Sequence, residues 1–377
     1  MVVEQISRDA QDCRKPELPG QVVLVLQGGG ALSAYQVGVY EALHAAGIEP
    51  DWVIGTSIGA INGAIIAGNA MERRMDCLRE LWARIEQDGI GATRPWPWIG
   101  NWATNLQTLL RGIPGLFSPN PAAAWGMHVK LGAERAAFYS TEALRSTLSE
   151  LADFDHLPSS STRLTMGAVN IRTGRMHYFD SRDVMIGVDH VLASSALPPA
   201  FPAVRIDDEP YWDGGIYSNT PIEVVFDDYP RRSSVVFAVQ LWHAAGPDPQ
   251  SIWQVLNRQK DIQYASRATS HVARQTQIHE LRHVIRELVR RMPETERETP
   301  EIKELAGYGC GTIMHIVELN APRLDGEDYT RDIDFTADGI HARWQAGFAD
   351  ARRALDRKPW ETKVDPMVGV AVYDSAA

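Results

Sequence analysis

The pentapeptide Gly55-Thr56-Ser57-Ile58-Gly59 is the first group of residues whose types and spacing could support catalysis. A G-x-S-x-G sequence between a strand and a helix is typical of a nucleophile elbow, a sharp turn that exposes a serine hydroxyl above a sheet. We therefore predict Ser57 as a nucleophile, and Gly55 and Gly59 as residues that keep the turn small. The free amide of Ile58, at the start of the helix, is predicted to help stabilise an anion.

A run of three glycines, Gly28 to Gly30, follows the apolar sequence VVLVLQ. It does not fit a dinucleotide-binding G-x-G-x-x-G sequence, because position 33 is Ser33, and it lacks the G-K-[ST] ending of a P-loop. A glycine turn after a strand also displays backbone amides, which in acyl hydrolases stabilise the oxyanion of a tetrahedral intermediate. We predict that Gly28, Gly29 and Gly30 form such an oxyanion hole beside Ser57.

An aspartate followed by two glycines, Asp213-Gly214-Gly215, lies far downstream in the sequence. Taken alone, this tripeptide is typical of a turn. Beside a reactive serine, Asp213 is also a candidate general base, and Gly214 and Gly215 are predicted to support its turn. A serine needs such a base because its hydroxyl is a weak nucleophile at neutral pH. A Ser57–Asp213–His243 triad, in the chain order of α/β-hydrolases, is the alternative that these residues leave open.

Four blocks of the sequence, in chain order, resemble the patatin-like phospholipases: GGG, GTSIG, ASSALPPAFPAV (193–204) and DGG. The resemblance covers residues 20–245, and the remainder resembles the C-terminal extension of a bacterial subgroup. It implies Ser57 as the nucleophile, Asp213 as its base in a two-residue dyad, and Gly28 to Gly30 as the oxyanion loop.

The resemblance also implies a reaction. It is that of a serine acyl hydrolase, which cleaves fatty-acyl esters of phospholipids, lysophospholipids or related lipids through an acyl-serine intermediate, with no metal or other cofactor. Where family members often carry a basic residue and a glycine after GGGA, this chain has Leu32 and Ser33. That departure leaves the headgroup preference open, and it leaves a catalytically inactive lipid- or partner-binding protein as an alternative.

The sequence His279-Glu280-Leu281-Arg282-His283 matches the H-E-x-x-H pattern of zinc enzymes. At helical spacing the two imidazoles share one face and could bind zinc, with Glu280 as the general base. Arg282 inside the motif, and further basic residues along the helix, disfavour a cation there. We therefore predict a solvated amphipathic helix, with a zinc metallohydrolase as the alternative.

Apolar runs that alternate with helical patterns indicate the elements that position these residues. VVLVLQ (22–27) and the sequence up to Ile54 predict strands, each followed by a helix, and such repeats form parallel sheets. Further strands are predicted within 162–180 (two strands around a turn), 232–242 and 311–322, and long helices within 251–292 and 337–355. Together with the resemblance, these elements predict an α/β fold: a patatin-like three-layer α/β/α arrangement with a mainly parallel central sheet, plus a largely helical C-terminal region.

Domain boundaries are weakly marked, and the best signal is a soft linker near residues 245–248. We predict a flexible N-terminal arm (1–19), a patatin-like catalytic domain (20–245), a mostly helical C-terminal extension packed on it (246–360) and a tail (361–377).

The net charge of −11 argues against a nucleic-acid partner, because nucleic-acid binders carry basic surfaces. The N-terminal sequence lacks a secretory signal pattern, and no apolar run reaches the about 18 residues of a membrane span. The three widely spaced cysteines give no disulfide framework. We predict a cytoplasmic protein, peripheral to the membrane at most, with homo-oligomerisation left open.

Residues 89–133 contain no acidic side chain, although the protein is acidic overall. The segment holds Trp96, Trp98, Trp102 and Trp125 together with a few cationic residues. Tryptophans beside cations suit a lipid–water interface. We predict peripheral membrane contact through this segment, with NWATNLQTLLRGIPGLF as an amphipathic lid and a proline-rich cover over the core as the alternative.

Overall fold

The computed structural model describes residues 18–87, 111–324, 327 and 330–374 of the chain, and only the backbone of residues 266–269. Its strands are β1 (Gln21–Leu26), β2 (Trp52–Gly55), β3 (Ser118–Pro119), β4 (Tyr139–Ser140), β5 (Arg163–Asn170), β6 (Met176–Asp180), β7 (Val204–Ile206), β8 (Glu209–Asp213), β9 (Ser234–Gln240), β10 (Met314–Asn320) and β11 (Val370–Asp374).

In this part of the chain, nine strands form one sheet in the order β11-β10-β9-β1-β2-β5-β8-β7, with β6 also paired to β5. The run from β11 to β5 is parallel throughout. Strands β6, β7 and β8 join in antiparallel orientation at the β5 end. The sheet is therefore mixed and mainly parallel, while β3 and β4 pair separately.

The helices connect these strands and cover the sheet. They are α1 (Ala34–Ala45), α2 (Ile58–Ala67), α3 (Met71–Ile85), α4 (Glu142–Leu151), α5 (Val188–Ser194), α6 (Glu223–Asp227), α7 (Ile252–Arg291), α8 (Glu294–Arg297), α9 (Pro300–Ala306) and α10 (Ala337–Arg357).

Side chains of β1 alternate between two hydrophobic cores, because successive residues of a strand point to opposite faces of a sheet. Leu24 and Leu26 belong to the larger core, which includes residues of α1, α2, α3 and α10. Val23 and Val25 belong to a smaller core with residues of α6. Helices therefore cover both faces, which explains why every residue after the first in β1 is apolar.

The last long helix packs directly against the first one. A Cβ on Gly38 would lie 1.9 Å from the carbonyl oxygen of Trp344, and one on Gly347 would lie 2.0 Å from that of Tyr35. The Tyr35 hydroxyl donates a 2.8 Å hydrogen bond to Asp350. The C-terminal region is thus tied to the helix that follows the glycine run.

This architecture confirms the predicted three-layer α/β fold with a mainly parallel sheet and a largely helical C-terminal region. Within the predicted strand at 311–322, β10 lies beside β9 in the main sheet. Residues Val370–Asp374, in the segment predicted to be a tail, form β11 at the sheet edge. The division into domains stays a prediction, and the N-terminal arm lies almost wholly outside the described residues.

Candidate active site

Ser57 lies in the turn between β2 and α2, in a strained backbone conformation. Its φ of 58° and ψ of −130° are uncommon for a residue with a side chain, and such outliers concentrate at functional sites. A Cβ on Gly55 would lie 2.4 Å from the carbonyl oxygen of Gly59, and one on Gly59 would lie 2.4 Å from that of Leu26. Only glycine fits at these two positions, so the turn has the tightness predicted from G-x-S-x-G.

Asp213 is the last residue of β8. The strand register of the sheet places it beside Ser57. Gly55 pairs with Met166 of β5, and Asp213 pairs with Ala168, two residues further along the same strand. Since Ser57 itself follows Gly55 by two residues, both side chains lie at the carboxyl edge of the parallel strands. Two residues that are distant in the sequence are brought together in this way.

Burial controls the protonation of the Asp213 carboxyl. The residue is 1% exposed, and burial raises its pKa from 3.8 to about 7. Hydrogen bonds from the amide of Gly215, at 2.7 Å, and from the side chain of Ser57 oppose this rise. An aspartate with a pKa near neutrality is a stronger base than an exposed one, and it is therefore suited to accept a serine proton.

The segment Ser194–Ala196 holds the serine and the aspartate in place. The Ser57 amide donates to the carbonyl of Ser194 at 3.1 Å, and the Ser195 hydroxyl donates to the carbonyl of Ser57 at 3.2 Å. The Asp213 amide donates to the carbonyl of Ala196 at 3.0 Å. The ASSALPPAFPAV block thus acts as a backbone bridge between the two predicted catalytic residues.

The glycine run after β1 lies beside Ser57. A Cβ on Gly28 would lie 3.0 Å from the Ser57 Cβ and 2.4 Å from Asn219 Oδ1, so glycine alone allows this approach. The Gly28 carbonyl accepts hydrogen bonds from Asn219 Nδ2 at 2.9 Å and Trp242 Nε1 at 2.8 Å. Asn219 and Trp242, which sequence reasoning did not assign, therefore hold the loop in position.

The backbone amides of the loop differ in their availability. That of Gly28, predicted as an oxyanion donor, already donates to the carbonyl of Asn219 at 3.2 Å. Those of Gly29, Gly30 and Ile58 have no acceptor among the described residues. Within the described ranges, three amides of the predicted oxyanion hole thus lack an acceptor and are placed to bind an anion, whereas the Gly28 amide supports the loop.

These residues share one cavity of about 230 Å³. Ser57, Asp213 and the glycine run line it on one side. Most of the other lining side chains are apolar or aromatic: Ile61, Leu116, Phe117, Leu144, Leu197, Phe201, Trp242, Tyr264, Ile333 and Phe335. The cavity can therefore hold an apolar chain next to a polar reactive centre.

A buried polar group supports the glycine run from behind. Gln27 is fully buried, and its Nε2 donates to Thr220 Oγ1 at 2.7 Å. Its Oε1 accepts from the amides of Leu241 and Trp242, and its carbonyl accepts from Gln36 Nε2 at 2.6 Å. These bonds tie the end of β1 to the segments after β8 and β9. The sequence signal for them was a glutamine that ends an otherwise apolar run.

His243 lies outside this arrangement. It lines a separate small cavity, and its amide donates to Asp261 Oδ1 at 3.3 Å. Asp261 in turn pairs with Arg323 at 2.7 Å and with the buried Arg331. Burial lowers the pKa of His243. Since His243 does not line the cavity that contains Ser57, the geometry does not support a triad.

Leu32, which stands where the related family often has a basic residue, lines the same small cavity as His243 and not the one that contains Ser57. Ser33 is fully buried ahead of α1, and its hydroxyl has no partner among the described residues. Neither of the two residues that depart from the family pattern lines the main cavity.

The histidines of the H-E-x-x-H sequence lie in α7, away from the lining of the main cavity. His279 is 0% exposed and His283 is 4% exposed. The expectation of a solvated helix is therefore wrong at these two positions, because both rings pack against the segment before β10. A catalytic zinc needs an open coordination position, and a fully enclosed pair does not provide one.

Part of the predicted lipid-contact segment is described. Residues 89–110, with three of its tryptophans, lie outside the described residues. From residue 111 onward, Leu116 and Phe117 line the main cavity, whereas Trp125 and Met127 are 77% and 85% exposed. The segment thus contributes both to the cavity wall and to the surface. The helices of the described ranges include none that is long and apolar enough to cross a bilayer.

Comparison with known proteins identifies the family of this chain. The patatin-like phospholipase family matches residues 24–226, which include Ser57 and Asp213, and a family described as patatin phospholipase matches residues 262–367. The chain therefore belongs to the patatin-like phospholipase family.

Individual relatives match over short stretches. The lysophospholipase nte1 of Aspergillus terreus is 59% identical over 49 residues, which are 13% of this chain and 3% of that protein. The patatin-like phospholipase domain-containing protein 7 of Rattus norvegicus is 42% identical over 62 residues, 16% of this chain and 5% of that protein. The chain thus matches only a small fraction of the length of these relatives.

Solved structures of low sequence identity also align. VipD from Legionella pneumophila aligns with a TM-score of 0.39 and 14% identity, over 94% of this chain and 73% of VipD. The type III effector ExoU aligns with a TM-score of 0.30 and 12% identity, over 90% of this chain and 53% of ExoU.

The raised pKa of Asp213 predicts a pH-dependent cost to stability. The pKa of this carboxyl rises from 3.8 to about 7 on folding. Its contribution to the free energy of unfolding is therefore at its full value below about pH 4, and it is lost as the pH rises through 7. Asp213→Asn cannot ionise, so the variant should gain in unfolding free energy relative to wild type between these pH values, by up to about 4 kcal/mol. Urea melts of both proteins from pH 4 to pH 9 measure this difference. A difference that stays constant over the range would contradict the assigned burial cost.

Proposed function

We propose that this protein is a serine acyl hydrolase that cleaves fatty-acyl esters of phospholipids, lysophospholipids or related lipids. The observation that carries the proposal is the pairing of Ser57, in a strained turn, with the buried Asp213 carboxyl in an apolar cavity. Membership of the patatin-like phospholipase family supports the substrate class.

In the proposed reaction, Asp213 accepts the hydroxyl proton of Ser57 as Oγ attacks the acyl carbonyl carbon. The tetrahedral intermediate then collapses, the bond from the acyl carbon to the ester oxygen breaks, and Asp213 returns the proton to the leaving alcohol. A water molecule, deprotonated by the same carboxylate, then attacks the acyl carbon, the bond from that carbon to Ser57 Oγ breaks, and Asp213 returns the proton to Oγ as the fatty acid is released. One carboxylate serves both half-reactions, so no second titrating side chain is needed.

Stabilisation of the oxyanion is assigned to backbone amides. The amides of Gly29, Gly30 and Ile58 have no protein acceptor in the described ranges and line the same cavity as Ser57. Ile58 opens α2, so the positive end of that helix adds to the field at the reacting carbonyl. In other hydrolases each such donor lowers the barrier by about 3–4 kcal/mol.

The acyl chain is assigned to the apolar wall of the cavity. Leu116, Phe117 and Phe201 lie on this wall, and the Phe117 and Phe201 rings stack edge to face at 5.3 Å. Each buried methylene of a bound chain contributes about 0.8 kcal/mol. Such a wall favours fatty-acyl esters over acetyl esters.

Two alternatives receive less support. A zinc hydrolase that uses Glu280 would need substrate access to His279, which is fully buried. Leu32 and Ser33 are the residues that favour an inactive lipid-binding protein, but neither lines the cavity that contains Ser57. The dyad and its three free amides support an active enzyme.

Contact with a lipid surface is assigned to residues 111–133. In this part of the segment Trp125, Met127 and Val129 are exposed, and acidic side chains are absent from its sequence. Exposed tryptophan and methionine gain free energy by entering the interface of a bilayer. Leu116 and Phe117 of the same segment line the cavity that contains Ser57, so the segment contributes both to this surface and to the cavity wall.

Hydrolysis of p-nitrophenyl esters by active-site variants tests the dyad. Ser57→Ala should lower kcat/KM by about 10⁴-fold or more, because the nucleophile is lost. Asp213→Asn should lower it by about 10²–10⁴-fold, because general-base catalysis is lost while the geometry is kept. His243→Ala should stay within about twofold of wild type, since His243 lines a different cavity.

Circular dichroism of each variant serves as the control for folding. Loss of activity in His243→Ala with folding intact would replace the dyad with a triad. Full activity in Ser57→Ala would overturn the proposed function.

Vesicle co-sedimentation tests the lipid contact. Trp125→Ala should weaken binding to phosphatidylglycerol vesicles several-fold, because its indole is 77% exposed in a segment without acidic residues. Tyr229→Ala is the matched control, because Tyr229 is 80% exposed but lies outside this segment. Equal weakening by both substitutions, or by neither, would contradict the assigned surface.

A further inference from the structure

Three side chains that the proposed hydrolysis does not use converge in the C-terminal region. His279 and His283 lie one turn apart on α7, and Cys310 lies in the segment that leads into β10. One ring nitrogen of each histidine and the Cys310 sulfur all lie within 4.8 Å of one another, and all three residues are buried. Two imidazoles and a thiol are ligands that zinc-class ions prefer.

A backbone carbonyl joins this cluster. The Thr312 oxygen is 2.8 Å from Nε2 of His279 and 2.9 Å from Nε2 of His283, and the two nitrogens are 3.1 Å apart. Nδ1 of His283 is 2.6 Å from the carbonyl oxygen of Pro366. His283 therefore donates its Nδ1 proton to Pro366, which leaves a lone pair on its Nε2.

That lone pair faces the oxygen of Thr312, which is also an acceptor. Three atoms, Nε2 of His279, Nε2 of His283 and the Thr312 oxygen, lie about 3 Å from one another. When both rings are neutral, only Nε2 of His279 carries a proton, so the other two atoms share one donor. Buried acceptors this close repel one another unless a further proton or a metal cation lies between them. A backbone carbonyl, that of Thr312, thus favours a cation at this position together with the two imidazole side chains.

We propose that His279, His283 and Cys310 bind one zinc-class divalent ion, with the carbonyl of Thr312 as the fourth ligand. With Zn–N of about 2.0–2.1 Å and Zn–S of about 2.3 Å, the ligand atoms of a tetrahedral site lie about 3.3–3.6 Å apart. The separation of the two imidazole nitrogens is already close to this value. The sulfur completes the site by exchanging its 2.9 Å contact with Thr312 Oγ1 for the metal.

Proton balance accompanies binding. The Cys310 thiol releases its proton to solvent, and His279 moves its proton from Nε2 to Nδ1, so the ion gains one thiolate and two imidazole ligands. His283 keeps its hydrogen bond to the carbonyl of Pro366, the kind of outer contact that orients a metal-binding imidazole.

The role of the ion is structural. Its ligands join α7 to the segment before β10, and the bond from His283 to Pro366 adds the segment before β11. The site is enclosed, and neither His279 nor His283 lines the cavity that contains Ser57. The ion therefore fixes the long helix to the edge of the sheet and takes no part in the hydrolysis.

Metal analysis of the full chain, purified without a histidine tag, tests the proposal. Wild type should contain about one zinc per chain by elemental mass spectrometry, and Cys310→Ser and His283→Ala should each lose at least nine-tenths of it. Two matched controls should keep it: Cys77→Ser, at the other described free cysteine, and His341→Ala, at a histidine whose side chain is 67% exposed.

A spectroscopic titration covers the case in which a variant fails to fold. Chelator-treated wild type should bind one equivalent of Co²⁺ with a thiolate-to-cobalt charge-transfer band, and the unfolding midpoint should rise when Zn²⁺ is restored. A wild type that binds neither ion, or a cobalt complex without the thiolate band, would overturn the site. Chelation should leave hydrolysis by folded protein unchanged, so the outcome is independent of that for Ser57.

Discussion

The burial of the Asp213 carboxyl beside the strained Ser57 is the feature that most shapes this molecule. Removing Asp213 from water raises its pKa to about 7, and this makes it a base of useful strength at neutral pH. The same burial destabilises the fold once the carboxyl ionises, so the surrounding structure must offset that cost. Hydrogen bonds from Gly215 and Ser57, together with the apolar packing around the cavity, are the compensating interactions.

Precise placement of these two residues follows from the sheet and not from either motif. The register of β2, β5 and β8 brings Ser57 and Asp213 to one level, and the segment Ser194–Ala196 binds the backbone of both. Behind the glycine run, Gln27 connects three strand ends through buried hydrogen bonds. The geometry of the candidate site is thus determined by long-range backbone contacts, and fixed dipoles of this kind are what the proposed catalysis would require.

The features that depend on neighbouring residues in the chain could be predicted from the sequence. The glycines around Ser57, the apolar strands and the long helices follow from steric limits and periodicity, and the structure has them. The sequence alone does not predict that the Gly28 amide is occupied by Asn219, because the two residues are 191 positions apart. The burial of His279 and His283 is missed for the same reason: a basic helix is expected to be solvated until the segments that pack on it, here those before β10 and β11, are known.

Covalent capture of the nucleophile is the decisive experiment for the Ser57–Asp213 pair. A fluorophosphonate with an alkyl chain reacts with an activated serine and stays attached, so digestion and mass spectrometry locate the modified residue. One label per chain is expected, on the peptide that contains Ser57, and labelling of Asp213→Asn should be greatly slowed. A label on another residue, or no label on a preparation that hydrolyses esters, would contradict the assignment of Ser57 and Asp213 as the catalytic pair.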